Sequence, residues 1–106
     1  MATGAYVYRD SYYGQRLILD LSRNGNTVSW VLKLQSTGSM QGTWSYSGWK
    51  SGSYTVNYYS AFTHTIASGS VTQAGAITAT ISSTMFWGGT AKVTASIGAA
   101  GSKPGP

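Results

Sequence analysis

The chain has 106 residues and a net charge of +5, from seven basic residues and two acids; that length suits one domain with a single core. It has no Cys, no Glu, one His and two Asp, which excludes a disulfide scaffold and a thiolate zinc site. So small a stock of carboxylates and imidazoles also leaves most acid–base and nucleophilic centres without parts, and the expectation is a module that binds or assembles, with no enzymatic activity, metal or cofactor.

Nearly every apolar stretch alternates with period two. AYVYRD (5–10) reads as a short first strand. RLILDLS (16–22) puts Leu17, Leu19 and Leu21 on one face, and TVSWVLKLQ (27–35) does the same with Val28, Trp30, Leu32 and Leu34. TWSYS (43–47) offers Trp44 and Tyr46, SYTVNYYS (53–60) Tyr54, Val56 and Tyr58, and AFTHTIA (61–67) Phe62, His64 and Ile66. AITATIS (76–82) offers Ile77, Ala79 and Ile81, and TAKVTASI (90–97) Ala91, Val93, Ala95 and Ile97. Alternation, β-branched and aromatic enrichment and Gly-bearing gaps all specify strands. About eight strands and no helix predict an all-β, antiparallel sandwich, Ig-like or jelly-roll, within residues 1–97. Leu19, Trp30, Leu32, Val56, Ile81 and Val93 are the expected core. The segment GAAGSKPGP (98–106) has no periodicity and both Pro residues, and reads as a flexible tail or linker.

The strongest local signal is Arg23-Asn24-Gly25-Asn26. Asn24-Gly25 suits the two central residues of a type I′ turn, both of which need positive φ. That turn would set Leu21 opposite Val28, Leu19 opposite Trp30 and Leu17 opposite Leu32, all on one face. The other face would pair Ile18 with Val31 and Arg16 with Lys33, an apolar pair beside a like-charge pair. Arg16, Ile18, Val31 and Lys33 are therefore the candidate partner interface, suited to an acidic protein surface. The alternative is that another strand or the N-terminal segment covers this face.

Other residues carry less. His64 lies in an alternating row and reads as packed or hydrogen-bonded, since a metal site would need partner ligands. Asp10 and Asp20 lack the cleft that a glycosidase carboxylate pair requires. Gly88-Gly89-Thr90-Ala91-Lys92 lacks the spacing of a phosphate loop and precedes a strand, so it reads as a turn. Trp44, Tyr46, Trp49, Tyr54, Tyr58 and Tyr59 crowd positions 44–59. Four of them alternate as core, whereas Trp49, in Ser47-Gly48-Trp49-Lys50-Ser51-Gly52, and Tyr59 are the glycan or surface-contact candidates.

Charged residues make up 8% of the chain, against roughly 25% in average proteins, and Lys50 alone carries formal charge between Lys33 and Lys92. Such a surface stays soluble on hydroxyls and amides, or is covered by assembly. The basic residues Arg9, Arg16, Arg23, Lys33, Lys50, Lys92 and Lys103 are scattered, without a nucleic-acid signature, so nucleic acid is not an expected partner. No apolar run approaches the roughly 20 residues of a spanning helix, and the start MATGAYVYRD lacks the layout of a signal peptide. A hydroxyl-rich exterior type without an export signal fits a virus particle released by lysis, or an exposed domain of a larger protein.

The hairpin Arg16-Leu17-Ile18-Leu19-Asp20-Leu21 with Thr27-Val28-Ser29-Trp30-Val31-Leu32-Lys33-Leu34, the Met-Ala-Thr start and the pair signal Thr43-Trp44-Ser45-Tyr46-Ser47-Gly48 carry a resemblance of pattern. Over its N-terminal two-thirds the chain resembles the opening of minor tail proteins of long-tailed bacteriophages of Gram-positive hosts. Such proteins usually continue through further domains, so a small capsid-decoration protein is the sister expectation. The resemblance implies a virion structural role, with other virion proteins or a second copy as partners and no catalytic residues. A carbohydrate-binding module for cell-surface glycans is the alternative function.

Overall fold

The structure is a computed structural model that describes residues 2–9, 14–85 and 88–101, with only the backbone over 2–9. Eight strands run in chain order: β1 (Ala2–Arg9), β2 (Gly14–Asn24), β3 (Thr27–Ser36), β4 (Met40–Gly48), β5 (Gly52–Tyr58), β6 (Phe62–Thr72), β7 (Ile77–Thr84) and β8 (Thr90–Ile97). They form two four-stranded sheets of order β1-β2-β3-β6 and β5-β4-β7-β8, antiparallel at every pairing. The first expected strand begins earlier than its AYVYRD signal, at Ala2, and Asp10 lies outside the described residues.

Period-two burial builds the core. The first sheet contributes Leu17, Leu19, Leu21, Val28, Trp30, Leu32, Leu34 and Phe62, and the second Tyr46, Tyr54, Val56, Ile77, Ala79, Ile81, Ala91, Val93 and Ala95, all buried. The six expected core residues are among them. Burying each Leu side chain is worth about 1.5–3 kcal/mol, so the Leu rows of β2 and β3 are the main apolar contribution of the first sheet. The small residues of β7 and β8 let the sheets approach closely there. At Gly4 the approach is so close that a Cβ would collide with the Thr94 carbonyl and the Ala95 amide. Backbone therefore meets backbone where β1 lies against β8, and this side of the sandwich is closed.

The β2–β3 turn corrects the expected register. Asn24 pairs with Thr27, so Gly25 and Asn26 are the central residues. Gly25 has φ 62°, and no non-Gly residue has positive φ among the described residues. One positive φ, at the first central position, is the type II′ pattern. It spares Asn the left-handed strain that the expected type I′ turn would impose. The pairs become Leu21–Trp30, Leu19–Leu32 and Leu17–Leu34. A slip of two residues preserves which face each side chain occupies, so the inward set is unchanged.

One bulge sits in β6. Leu32 pairs with Ala67 and Lys33 with Thr65, leaving Ile66 as the extra residue. The bulge shifts the alternation by one, so Ile66 and Ala67, though adjacent, both pack against the core. Past the bulge β6 continues to Thr72, beyond the AFTHTIA alternation, because Ala67–Thr72 go on pairing with β3 from Leu32 back to Thr27.

Arg23 gathers one end of the sandwich. Its Nε donates to the Gly98 carbonyl at 2.9 Å, Nη2 to that of Gly75 at 2.7 Å, and Nη1 to those of Gly25 at 3.2 Å and Gln73. The Ala100 amide donates to the Ala74 carbonyl at 2.7 Å. The beginning of the expected flexible segment is thus held against the β6–β7 connection, while 102–106 lie outside the described residues.

Candidate partner interface

Arg16, Ile18, Val31 and Lys33 all occupy the outer face of the first sheet, with Ile18, Val31 and Lys33 half-buried and Arg16 exposed. The expected pairs are not formed. Ile18 lies opposite Lys33, Val31 opposite Asp20 and Arg16 opposite Gln35. The like-charge opposition of Arg16 and Lys33 disappears for the same two-residue slip. Instead Lys33 Nζ reaches Asp20 Oδ2 at 3.9 Å. Ile18 and Val31 form one diagonal of a four-residue square, and Asp20 and Lys33 form the other. At this partly exposed site the ion pair is worth about 0–1 kcal/mol. It still offsets one of the two cations, leaving Arg16 as the forward charge of the patch.

The loop between β4 and β5 turns Trp49 inward. Its backbone N–H donates to the Thr80 carbonyl at 2.9 Å, and its ring meets Trp30 edge-on, centroids 5.9 Å apart and planes at 75°. Lys50 Nζ stands 5.0 Å from the Trp49 ring centroid and 5.9 Å from that of Trp30. Such a cation over two indoles is worth about 0.5–2 kcal/mol, depending on desolvation. Trp49 is therefore half-buried, packed by Trp30 and attended by Lys50. Tyr59, in the turn between β5 and β6, is 80% exposed, the sole exposed large hydrophobic among the described residues. The two surface candidates thus fall into different settings.

An aromatic row that the sequence did not single out as a unit runs between β5 and β6. Tyr58 stacks on Phe62 with centroids 4.1 Å apart, and its hydroxyl bonds His64 Nδ1 at 2.9 Å. Tyr54 lies over His64 at 6.3 Å and meets Trp44 at 6.4 Å. His64 is thus the hydrogen-bonded member of a packed row, as its alternation indicated. The Tyr54 hydroxyl meets Ser83 Oγ at 2.8 Å. Burial pushes the Tyr54 phenol above its ordinary 10.0, opposed by that hydrogen bond. Each ring of the row was visible in the alternation of β4, β5 and β6. Their meeting was not, because it depends on two strands from different sheets.

The outer face of the second sheet is tiled with hydroxyls. Thr43 and Thr55 Oγ1 lie 2.8 Å apart, Thr80 and Thr94 Oγ1 2.9 Å, and Ser96 Oγ donates to Thr78 Oγ1 at 3.1 Å. These bonds link side chains across neighbouring strands on one face. Among the described residues no three His, Cys, Asp or Glu side chains come together in a group that could hold a metal ion, and no helix is long and apolar enough to cross a membrane. The segment at Gly88 is a turn between β7 and β8, with the Met85 N–H bonded to the Gly89 carbonyl at 3.0 Å and Gly88 at φ 87°. No protein-family model, curated protein sequence or solved structure matches the chain.

Proposed function

We propose that the chain is a non-catalytic structural protein of a phage particle, a minor tail or capsid-decoration protein that acts by assembly on the particle exterior. The observation that carries this reading is the distribution of surface chemistry. The second sheet presents a hydroxyl-rich outer face whose one formal charge among the described residues is Lys92, while the first combines the half-buried Ile18 and Val31 with Arg16 and the Lys33–Asp20 pair. A broad face of low charge is easily desolvated against another protein, since few ions must leave water. The pattern resemblance of 16–21, 27–34 and 43–48 points to the particle as the setting. Immunogold labelling of purified particles should decorate their exterior. Absence of the chain from particles, judged by mass spectrometry, refutes the reading. The double variant Ile18→Asp, Lys33→Glu should fold and fail to incorporate; normal incorporation removes this patch as the docking face.

A second reading, recognition of cell-surface glycan, draws on the 80% exposure of Tyr59. Tyrosine offers a ring for stacking and a polar tip. Binding on a glycan array that is lost in Tyr59→Ala and weakened in Trp49→Ala supports it. Binding by neither wild type nor variant dismisses it.

A further inference from the structure

We infer that β6 is a strand-addition edge, through which two copies of this chain pair antiparallel and join their first sheets into one. The inference rests on the assembly role proposed above, but it names a surface other than the Arg16–Ile18–Val31–Lys33 patch.

Three observations converge on the β5–β6 side. The first is an asymmetry of closure. On the opposite side β1 and β8 meet backbone to backbone at Gly4 and Thr94. On this side β5 and β6 are the terminal strands of different sheets, bridged by the rings of Tyr54, Tyr58, Phe62 and His64. The free edge of β6 therefore presents backbone N–H and C=O groups that no described strand pairs. The second is chemistry. Edge strands are normally protected by shortness, Lys, Pro or bulges. β6 spans 11 residues, FTHTIASGSVT, with no Lys, Arg, Asp, Glu or Pro. Its one protective device is the bulge at Ile66, which leaves Ala67–Thr72 as an uninterrupted stretch. The third is apolar surface. Tyr58, Ile66 and Ala67 remain only partly buried against the core, and Tyr59 projects from the turn that opens β6.

A second copy is the occupant this edge fits. β5 and β6 themselves carry no Lys or Arg: Arg9, Arg16, Arg23, Lys33, Lys50 and Lys92 lie elsewhere, with Lys33 on the neighbouring strand opposite Thr65. A chain of net charge +5 repels its own copy, and a neutral edge is where that repulsion is weakest. A two-fold axis across β6 is an isologous contact, so the same strand supplies both halves of the ladder.

The test uses the whole chain and sedimentation equilibrium over a wide concentration range. Wild type should show a monomer–dimer equilibrium. Ser68 and Ser70 are exposed on β6, so Ser68→Lys with Ser70→Lys should fold normally and dissociate more than about tenfold more readily, through like charges brought together. Ser68→Glu with Ser70→Glu should do the same. An equimolar mixture of the two variants should restore the dimer, an outcome that a folding defect cannot produce. Wild type that stays monomeric throughout, Lys variants that dimerise like wild type, or a mixture that remains monomeric each overturns the inference. The assembly reading is tested separately by particle incorporation: a strictly monomeric chain that still incorporates sinks the edge pairing and leaves that reading standing.

Discussion

Replacing Arg23 with Met keeps the aliphatic stem and deletes a guanidinium that serves four carbonyls, those of Gly25, Gln73, Gly75 and Gly98. Hydrogen bonds from a charged donor can be worth about 1.5–3 kcal/mol each. These carbonyls sit at the surface, however, and water takes over once the side chain is gone, so about 0.5–1 kcal/mol per bond is the better figure. Nη1 is shared between Gly25 and Gln73, which leaves roughly three effective bonds and a loss of about 1.5–3 kcal/mol. For a domain of this size that lowers Tm on the order of 10 °C. Urea unfolding followed by Trp fluorescence measures the loss. Arg23→Lys should recover less than half of it, because one ammonium cannot span the carbonyls a planar fork reaches. Hydrogen exchange adds a local readout, since the Ala100 amide on the Ala74 carbonyl should lose protection before the core strands do. A loss below about 0.5 kcal/mol, or full rescue by Lys, would refute the view that this fork ties the end of the sandwich together.

Two further outcomes follow from the core. Trp30 is buried between Leu21 and Gly69 on its neighbouring strands, so Trp30→Ala should cost about 3–5 kcal/mol in urea unfolding; a cost below about 1 kcal/mol would show that the ring is not a core element. Tyr54 is held neutral above its ordinary pKa by burial, so the unfolded chain releases that proton first. Its contribution is complete below the unfolded pKa and is lost as pH rises through the folded one. Stability should therefore fall as pH climbs past about 10, and Tyr54→Phe should flatten that fall while costing about 1 kcal/mol at neutral pH for the bond to Ser83. An unchanged slope in the Phe variant removes the assignment.

Alternation was the most legible feature of this chain. In a pleated strand a side chain's face depends only on parity, so Leu17, Leu19, Leu21, Leu32, Val56, Ile81 and Val93 could be assigned inward before any pairing was known. The composition was equally direct about chemistry, since one His and two Asp are present or absent whatever the fold. Register was only half legible. Asn24-Gly25 announced a hairpin, but a slip of two residues leaves parity intact and costs no burial. The choice fell to the backbone, which needs only one residue with positive φ if Gly25 comes first in the turn.

What the tertiary structure alone decided are contacts between strands distant in the chain. Nothing near Trp49 in sequence says that it turns inward; Trp30, from another sheet, is there to receive it. Nothing in AFTHTIA marks a bulge, because an extra residue is defined against the partner strand β3. The carbonyls that Arg23 binds come from the β2–β3 turn, the β6–β7 connection and the segment after β8. The aromatic row of Tyr54, Tyr58, Phe62 and His64 exists because β5 and β6 end different sheets and face each other. The sealing of one side by Gly4 against Thr94, with the other left open at β6, is likewise a matter of which strands end the sheets. Local sequence determines the face of a side chain through parity, whereas the neighbour across the ladder or across the core is set by the global packing of all eight strands.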